Sequence, residues 1–256
     1  MRSLLTRYGG GNTEPSGAPV FQSTSREVTL TAILAAFYFV LRSIPTFQMI
    51  GIGGRFTAAD FLPTTIALIT GPFGGTISVV VGTVLGYSIT PPVFLGLDFL
   101  PAVTNVVVVS LIVSRRINAA RIIYLGLLLL FLVSPYSLMF GYGTIPFTWL
   151  HIIALLALFS PLSKTTSRWM RNGGRKTAVG ILLLALVGTM AQHLTGGLLY
   201  ELVAGRIGGI TPANFARFWA IIFWIYPLER SLIIVFSTAI AIVAQRSLRQ
   251  MRSQFR

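Results

Sequence analysis

The sequence has no cysteine and few charged residues, and both shortages restrict what the protein can be. Without cysteine, disulfide bonds and thiolate chemistry are excluded. Charged residues make up 10% of the chain and hydrophobic residues 54%, whereas about 25% of the residues of a soluble domain are charged. The motifs GxxxxGK[ST], HExxH and GxSxG are also absent, so we expect no enzymatic activity, cofactor or metal site.

Acidic residues are the scarcest charges, with six in the whole chain. Glu14 and Glu27 lie in or beside a polar N-terminal tail. The other four fall within or at the ends of long apolar stretches, and these are Asp60, Asp98, Glu201 and Glu229. A charge in hydrocarbon costs about 3 kcal/mol or more unless it is paired or hydrated. The positions of these acids therefore predict a polar pocket inside a helical membrane protein.

Apolar stretches recur along the chain between breaks rich in proline and glycine. They cover residues 28–44, 57–70, 73–89, 99–114, 121–140, 147–162, 177–203 and 215–244. A membrane-spanning helix needs about 20 apolar residues. The second stretch is short enough to be a half-span, and the turn Gly71-Pro72 separates it from the third. We therefore predict an all-α integral membrane protein, a polytopic bundle of 6–8 transmembrane helices.

Lysine and arginine are distributed unevenly between alternate loops. If the N-terminus lies inside, 15 of the 20 basic residues fall on the cytoplasmic face, as the positive-inside rule requires. The remaining five are Arg42, Arg55, Arg206, Arg217 and Arg230. We expect a multi-pass protein of the plasma membrane with both termini in the cytoplasm. Since retained basic loops also explain the net charge of +14, no nucleic-acid partner is expected.

With this orientation, we divide the chain into three parts. Residues 1–27 form a disordered cytoplasmic tail, because they are polar and rich in Gly, Ser and Thr. Residues 28–246 form the transmembrane helical domain, embedded in the lipid bilayer. Residues 247–256 form a basic cytoplasmic C-terminus.

Two adjacent polar stripes follow the seventh apolar stretch at four-residue spacing. One comprises Gln192, Gly196 and Tyr200, and the other comprises His193, Gly197 and Glu201. Adjacent stripes form one helix face. This face either lines a cavity, with the glycines making room for a ligand, or packs closely against another helix across which Gln192 and His193 hydrogen-bond.

The eighth stretch carries aromatic and charged residues on one side. Trp219, Phe223, Tyr226 and Arg230 share a face, with Glu229 beside it and Pro227 predicting a kink. Either the aromatic rings stack on a flat ligand while Glu229 or Arg230 binds its polar edge, or the two charges are structural. Adjacent residues on a helix do not face each other. We therefore expect Glu229 and Arg230 to have partners other than each other, with His193 as one candidate.

Three further features have two interpretations each. The stripe of Ser78, Gly82 and Gly86 favours helix packing over ligand contact. Asn105 either faces the cavity or bridges two helices. His151, with Trp149, begins the sixth stretch at the outer interface, where it either anchors the helix as aromatic residues commonly do or belongs to the site. The predicted substrate-binding set is Asp60, Asn105, Gln192, His193, Tyr200, Glu201, Tyr226, Glu229 and Arg230.

The first apolar stretch has small residues near its cytoplasmic end. Ala32 and Ala36 are four residues apart, and Ala35 lies alongside. Small side chains let another backbone approach closely. The stripe therefore predicts a docking surface, either for a helix of the same chain or for a different subunit.

Several of these segments resemble a known family. Residues 56–63 (FTAADFLP), the run Gly71-Pro72-Phe73-Gly74-Gly75, and then Gly82 and Gly86 resemble the front half of the substrate-binding S components of energy-coupling factor (ECF) transporters. The sequence AILAA at 32–36 resembles the alanine motif that the first helix of that family offers to its transmembrane coupling subunit. Residues 188–197 and 226–230 resemble its closing helices. The resemblance covers about two-thirds of the chain.

The resemblance implies a function, a ligand class and partners. ECF transporters are ABC-type importers of vitamins and other micronutrients. This chain would capture a small-molecule micronutrient from outside, and the loop at about 45–56 would close over it. A coupling subunit and separate cytoplasmic ATPases would complete the importer, which fits the absence of GxxxxGK[ST] here. The family usually has six helices, and the hairpin of about 121–163 has no obvious counterpart in it.

A stand-alone secondary transporter is the alternative function. Glu229 or Asp60 would then carry a proton or cation across the membrane. Such transporters are typically built from inverted repeats with broken helices, and no internal repeat is evident in the sequence.

Overall fold

The computed structural model describes residues 25–137, 141–142, 145–172 and 174–254. The described helices are α1 Ser25–Arg42, α2 Pro63–Gly86, α3 Leu100–Val113, α4 Ile117–Val133, α5 Trp149–Phe159, α6 Pro161–Asn172, α7 Arg175–Tyr200 and α8 Pro212–Gln254. A 3₁₀ turn, Ala58–Phe61, precedes α2, and a π-helical segment, Glu201–Ile207, continues α7. The all-α prediction is confirmed for this part of the chain, apart from two short strand pairs.

The strand pairs are short antiparallel hairpins. β1 Pro45–Gln48 pairs with β2 Arg55–Thr57, and β3 Gly141–Tyr142 pairs with β4 Ile145–Pro146. The first hairpin occupies the loop that was predicted to close over a ligand. Of the predicted tail, 1–24 lies outside the described residues, and 25–27 already belong to α1. At the other terminus α8 continues through Gln254, so no structural break marks residue 247.

Judged by length and composition alone, three described helices are long and apolar enough to cross a membrane. They are Pro63–Gly86, Arg175–Ile207 and Pro212–Gln250, each with a mean hydropathy of 1.7. The pair α5 and α6 would be a fourth span, although it bends by 68° at Ser160. α3 and α4 are apolar but shorter. Large apolar side chains also cover the outside of the bundle, with Ile122 72% and Val133 66% exposed, as expected for a surface facing lipid.

Gly71 reverses the chain inside α2. Its backbone angles, φ 71° and ψ −166°, are not helical, and Pro72 next to it lacks a backbone N–H. A Cβ added to Gly75 would lie 3.4 Å from Cγ2 of Ile66, although nine residues of straight helix would separate them by about 13 Å. α2 is therefore a helical hairpin rather than one straight rod, and the predicted break at Gly71-Pro72 is present.

The second arm of this hairpin packs in parallel along α1. Ser78 Oγ donates a hydrogen bond to the carbonyl oxygen of Thr31 at 3.0 Å. A Cβ on Gly82 would lie 2.7 Å from the carbonyl oxygen of Ala35, and one on Gly86 would lie 2.7 Å from Nε of Arg42. The stripe of Ser78, Gly82 and Gly86 therefore serves helix packing, which was its favoured interpretation.

This contact predicts opposite effects for two glycine-to-alanine substitutions. Gly82→Ala places a methyl group against backbone that cannot move away, so we expect a loss of about 1–3 kcal/mol in unfolding free energy. Gly126→Ala, on α4, meets no atom within 4 Å and should stabilise its helix by up to about 1 kcal/mol. Thermal unfolding of both variants in the same detergent measures the difference. Equal effects of the two would contradict the close approach of α1 and α2.

The bundle has two distinct ends. At the strand end, the backbone N–H of Ala58 donates to the carbonyl oxygen of Ile44 at 2.9 Å, and Tyr200 Oη donates to that of Ile50 at 2.8 Å. At the opposite, basic end, Arg249 Nη2 donates to the carbonyl oxygen of Met170 at 2.7 Å. α1 runs towards the strand end and α8 runs away from it. The start of α1 and the end of α8 therefore lie at the same, basic end.

Candidate functional site

A cavity of about 340 Å³ lies beneath the first hairpin at the strand end. We call it the strand-end cavity. The hairpin and the 3₁₀ turn supply one side, and α7 and α8 supply the other. Its lining includes Arg42, Arg55, Phe56, Asp60, Phe94, Gln192, His193, Tyr200, Trp219, Glu229 and Arg230. Small-ligand pockets commonly measure 300–1,000 Å³, so the cavity has room for one small molecule.

Tertiary folding brings six of the nine predicted substrate-binding residues to this cavity. They are Asp60, Gln192, His193, Tyr200, Glu229 and Arg230. The other three lie elsewhere. Asn105 lies behind Gln192, Tyr226 lies behind His193, and Glu201 is buried where the π-helical segment begins.

A directed chain of hydrogen bonds fixes the carboxylate of Asp60. Thr64 Oγ1 donates to Asn105 Oδ1 at 3.2 Å, and Asn105 Nδ2 donates to Gln192 Oε1 at 3.0 Å. Gln192 Nε2 then donates to Asp60 Oδ1 at 2.7 Å, while the N–H of Thr57 donates to Oδ2 at 3.1 Å. Each carboxylate oxygen can accept a further hydrogen bond. Asp60 is thus held rigidly with spare acceptor capacity on the cavity wall.

These hydrogen bonds show that Asn105 bridges two helices. It connects the first arm of α2 to α7, which is one of the two interpretations that the sequence left open. α3 is antiparallel to α7 here, because a Cβ on Gly188 would lie 2.5 Å from Asn105 Oδ1, while Pro101 lies next to Gly196. The position of Gln192, and through it that of Asp60, therefore depends on how α3 packs against α7.

Glu229 and Arg230 pair with each other. Arg230 Nη2 lies 3.0 Å from Glu229 Oε1, and the two side chains are 2% and 6% exposed respectively. The prediction that these neighbours would find separate partners was wrong. The rule that adjacent helix residues point apart describes extended side chains, whereas an arginine is long enough to fold back along its own helix. Because both side chains are buried, either charge would be costly without a partner, and the pair compensates both.

Phe56 completes the environment of Arg230. The guanidinium Cζ lies 4.5 Å from the centroid of the Phe56 ring, a cation–π contact. Phe56 lies within β2, so this contact connects the hairpin above the cavity to α8 below it. Arg230 Nε is buried without a hydrogen-bond partner among the described residues. The pair thus leaves one guanidinium donor unsatisfied beside the cavity.

The two histidines form a stacked pair at the cavity wall. His151 Nε2 and His193 Nδ1 are 3.1 Å apart, and the rings lie 5.1 Å apart at an interplanar angle of 12°. Tyr226 stacks on His193 at 5.2 Å. Of the two interpretations of His151, the outer-interface anchor is wrong, because its side chain is buried. His193 is hydrogen-bonded to His151 rather than to Glu229 or Arg230.

Glu201 lies apart from these groups. It is buried, and neither carboxylate oxygen has a hydrogen-bond partner within the described residues, although the Ser134 hydroxyl lies nearby. Beyond it a Cβ on Gly205 would touch the ring of Tyr136 at 2.6 Å. Glu201 does not line the strand-end cavity, so the structure gives it no contact with a ligand there.

Arg42 and Asp98 are site residues that the substrate-binding set omitted. Arg42 ends α1 and lines the cavity, and its buried Nε has no hydrogen-bond partner among the described residues. Asp98 accepts hydrogen bonds from the N–H groups of Val93 and Phe94, at 2.9 and 3.1 Å, and so shapes the wall loop. The distribution of basic residues in the sequence already distinguished Arg42. Of the five basic residues that the charge count left outside the cytoplasmic loops, Arg42, Arg55 and Arg230 line this cavity.

The predicted docking alanines separate into two groups. Ala32 and Ala36 are exposed on α1. Ala35 is 4% exposed, because it packs against Gly82 of the α2 hairpin. Ala35 therefore packs within the same chain, whereas Ala32 and Ala36 form an exposed surface of small residues.

The fold and the cavity define a class of protein: an all-α chain with membrane-suited helices and charged side chains enclosed in the bundle. No protein-family model matches the chain. It is similar to the uncharacterized protein MJ0923 of Methanocaldococcus jannaschii, with 26% identity over 167 residues, 64% of this chain and 54% of that protein. The chain thus spans about half the length of that relative. No solved structure matches it.

Proposed function

We propose that the chain is the membrane-embedded substrate-binding subunit of an ECF-type importer. It captures a vitamin-like micronutrient from outside the cell. The observation that carries this proposal is the strand-end cavity, which encloses Asp60, Glu229 and Arg230 within an apolar bundle. Buried ionisable groups are costly in a membrane and mark binding sites or pathways.

The arrangement of the two ends supports an outward-facing site. The hairpin and the cavity share the strand end, whereas the starting turn of α1 and the last turns of α8 share the basic end. Under the positive-inside rule the basic end faces the cytoplasm. The protein then crosses the plasma membrane 6–8 times with both termini inside. Exposed Ala32 and Ala36 offer a surface to a transmembrane coupling subunit, and ATP is hydrolysed on separate subunits.

The cavity lining favours a particular ligand chemistry. Asp60 and Glu229 are acceptors with spare lone pairs, so they suit N–H donors on one edge of the ligand. The unpartnered Nε atoms of Arg42 and Arg230 suit an acceptor or an anionic group. Phe56 and Trp219 provide flat apolar faces for stacking. We therefore propose a small, flat, ring-containing molecule with donors on one edge and an acceptor on another.

Ligand identification is the direct test. We expect wild-type protein purified in mild detergent to release a ring-containing small molecule when it is denatured, as measured by mass spectrometry. Asp60→Asn removes a fixed acceptor and should release at least tenfold less, since a lost charged hydrogen bond is worth about 1.5–3 kcal/mol. A wild-type protein that carries no small molecule and binds none from a vitamin and nucleobase panel would contradict the proposal.

Cysteine labelling tests the orientation. The chain has no cysteine, so Arg206→Cys and Ser247→Cys each introduce a single thiol at an exposed position, one near each end of α8. In intact cells a membrane-impermeant maleimide should label residue 206 and not residue 247. Permeabilised cells should label both, which controls for thiol reactivity. The reverse pattern would place the strand end in the cytoplasm and remove the import function.

A stand-alone proton-coupled transporter remains the second candidate. The hydrogen-bonded pair of His151 and His193 favours it, because His193 shares the cavity lining with the carboxylates of Asp60 and Glu229 and such groups can relay protons. The ion pair of Glu229 with Arg230 opposes it, since a proton carrier must be free to change its charge. Uptake by this chain alone that stops when the proton gradient is collapsed would establish the alternative.

A further inference from the structure

A second concave surface lies at the basic end of the bundle, far from the strand-end cavity. It has a volume of about 500 Å³ and lies between the turn that joins α3 to α4 and the break between α5 and α6. We call it the basic groove. Its lining is Arg115, Arg116, Ile117, Asn118, Ala119, Arg121 and Lys164. None of these described lining residues is acidic, so four cations converge without a counter-charge among them.

One of the four cations already has a structural role. Arg121 donates to the carbonyl oxygens of Leu158 and Phe159 at 3.3–3.4 Å. Its guanidinium also lies 4.8 Å from the centroid of the Phe159 ring. Arg121 therefore fastens α4 to the end of α5 and fixes the shape of the groove. The other three cations, Arg115, Arg116 and Lys164, are exposed and available to an external anion.

The start of α4 adds a second source of positive potential. The helix begins at Ile117 and has 17 residues, and no side chain caps its first N–H groups. Uncapped N–H groups and the helix dipole favour an anion at this position. The first residues of α4 line the groove together with the cations. Both contributions therefore point to a negatively charged ligand with several acceptor oxygens, such as a phosphate group.

Apolar side chains beside the groove identify the source of that phosphate. Ile122, Phe159 and Leu162 are 72%, 49% and 46% exposed. Phe159 adjoins the groove because the guanidinium of Arg121 lies over its ring. Ile122 follows the lining residue Arg121 in α4, and Leu162 lies two residues before Lys164 in α6. A soluble phosphate would gain nothing from these side chains, whereas the acyl chains of a lipid would cover them. We propose that the basic groove binds the headgroup phosphate of an anionic phospholipid, which bridges the α3–α4 turn and the α5–α6 break.

The test compares lipid retention by two variants that lose the same charge. The groove variant is R115N/R116Q/K164Q, which keeps Arg121; asparagine suits residue 115 because its φ is 66°. The matched control is R175Q/K176Q/R246Q, three exposed cations outside the groove. Native mass spectrometry of detergent-solubilised protein is followed across titrations with phosphatidylglycerol and with phosphatidylcholine.

We expect the groove variant to need about 100-fold more phosphatidylglycerol than wild type, about fivefold for each cation. The control variant should bind like wild type, and phosphatidylcholine should bind equally weakly to all three. An unchanged affinity in the groove variant, or an equal loss in the control, would overturn the proposal. Displacement by sn-glycerol 3-phosphate at the same concentration as the lipid would assign the groove to a soluble phosphate instead. If the triple variant does not fold, Arg116→Gln alone should still show a loss of about fivefold.

Discussion

Replacing Glu229 by glutamine should destabilise the protein by about 3–5 kcal/mol and weaken ligand binding by roughly 100-fold. The substitution removes the only carboxylate that pairs with Arg230 among the described residues, and it leaves a guanidinium buried without its counter-charge. Arg230→Met should have a similar effect, because Glu229 would then be buried as an unpaired carboxylate. Thermal unfolding in detergent and titration with the co-purified ligand measure the two losses separately.

The double variant E229Q/R230M separates a structural role from a binding role. With both charges gone, neither member of the pair is buried without its partner, so most of the lost stability should return. Ligand affinity should stay low, because the cavity then lacks both an acceptor and a donor. Recovery of stability and affinity together would show that the pair only holds α8 in shape, and the ligand would have to bind elsewhere in the cavity.

Glu201→Gln is the matched control for this experiment. It makes the same chemical change at another buried glutamate, one that lies outside the strand-end cavity. We expect its ligand affinity to equal that of wild type. A loss comparable to that of Glu229→Gln would mean that the effect follows from neutralising any buried acid, and it would remove the evidence that Glu229 contacts the ligand.

Ala36→Trp should abolish transport by the proposed importer while leaving ligand binding within about twofold of wild type, because Ala36 does not line the strand-end cavity. Ala36 is exposed on α1, so a tryptophan there projects outward and blocks the close approach of another backbone. Uptake of labelled ligand into cells that express the proposed coupling subunit and ATPases gives the first measurement. Binding to the purified chain gives the second.

Val243→Trp controls for the added bulk at a lipid-facing position. Val243 lies on α8 and is 63% exposed, so a tryptophan there should leave both transport and binding unchanged. Ala35→Trp should instead destabilise the chain itself, because Ala35 packs against Gly82. Normal transport by Ala36→Trp would exclude docking through this surface.

Local patterns were sufficient to locate the helices. The predicted stretches 28–44 and 99–114 correspond to α1 and α3 within about three residues at each end, because apolar runs and proline or glycine breaks are properties of the chain itself. The reversal at Gly71-Pro72 was equally visible, since a glycine with positive φ followed by a proline cannot continue a helix. The number of complete membrane crossings was not visible in the sequence, because α3 and α4 are shorter than a full span.

Side-chain partners were harder to predict than helices. The stripe on α7 indicated that Gln192 and His193 share a polar face, but not that Gln192 would hold Asp60 from 132 positions earlier in the chain. His151 was assigned to the outer interface because its segment begins with Trp149, whereas its ring stacks on that of His193. Pairings of this kind depend on how distant helices approach each other, and no local spacing encodes that.

The sequence alone determined that charge is rare here, that most basic residues occupy alternate loops, and that the acids interrupt apolar helices. These properties follow from composition and order, and they suffice to indicate a membrane bundle with a polar interior. Only the tertiary structure decided which charges meet. It placed Asp60, Glu229 and Arg230 in one cavity and excluded Glu201, because burial leaves each polar group dependent on whichever helices pack against it.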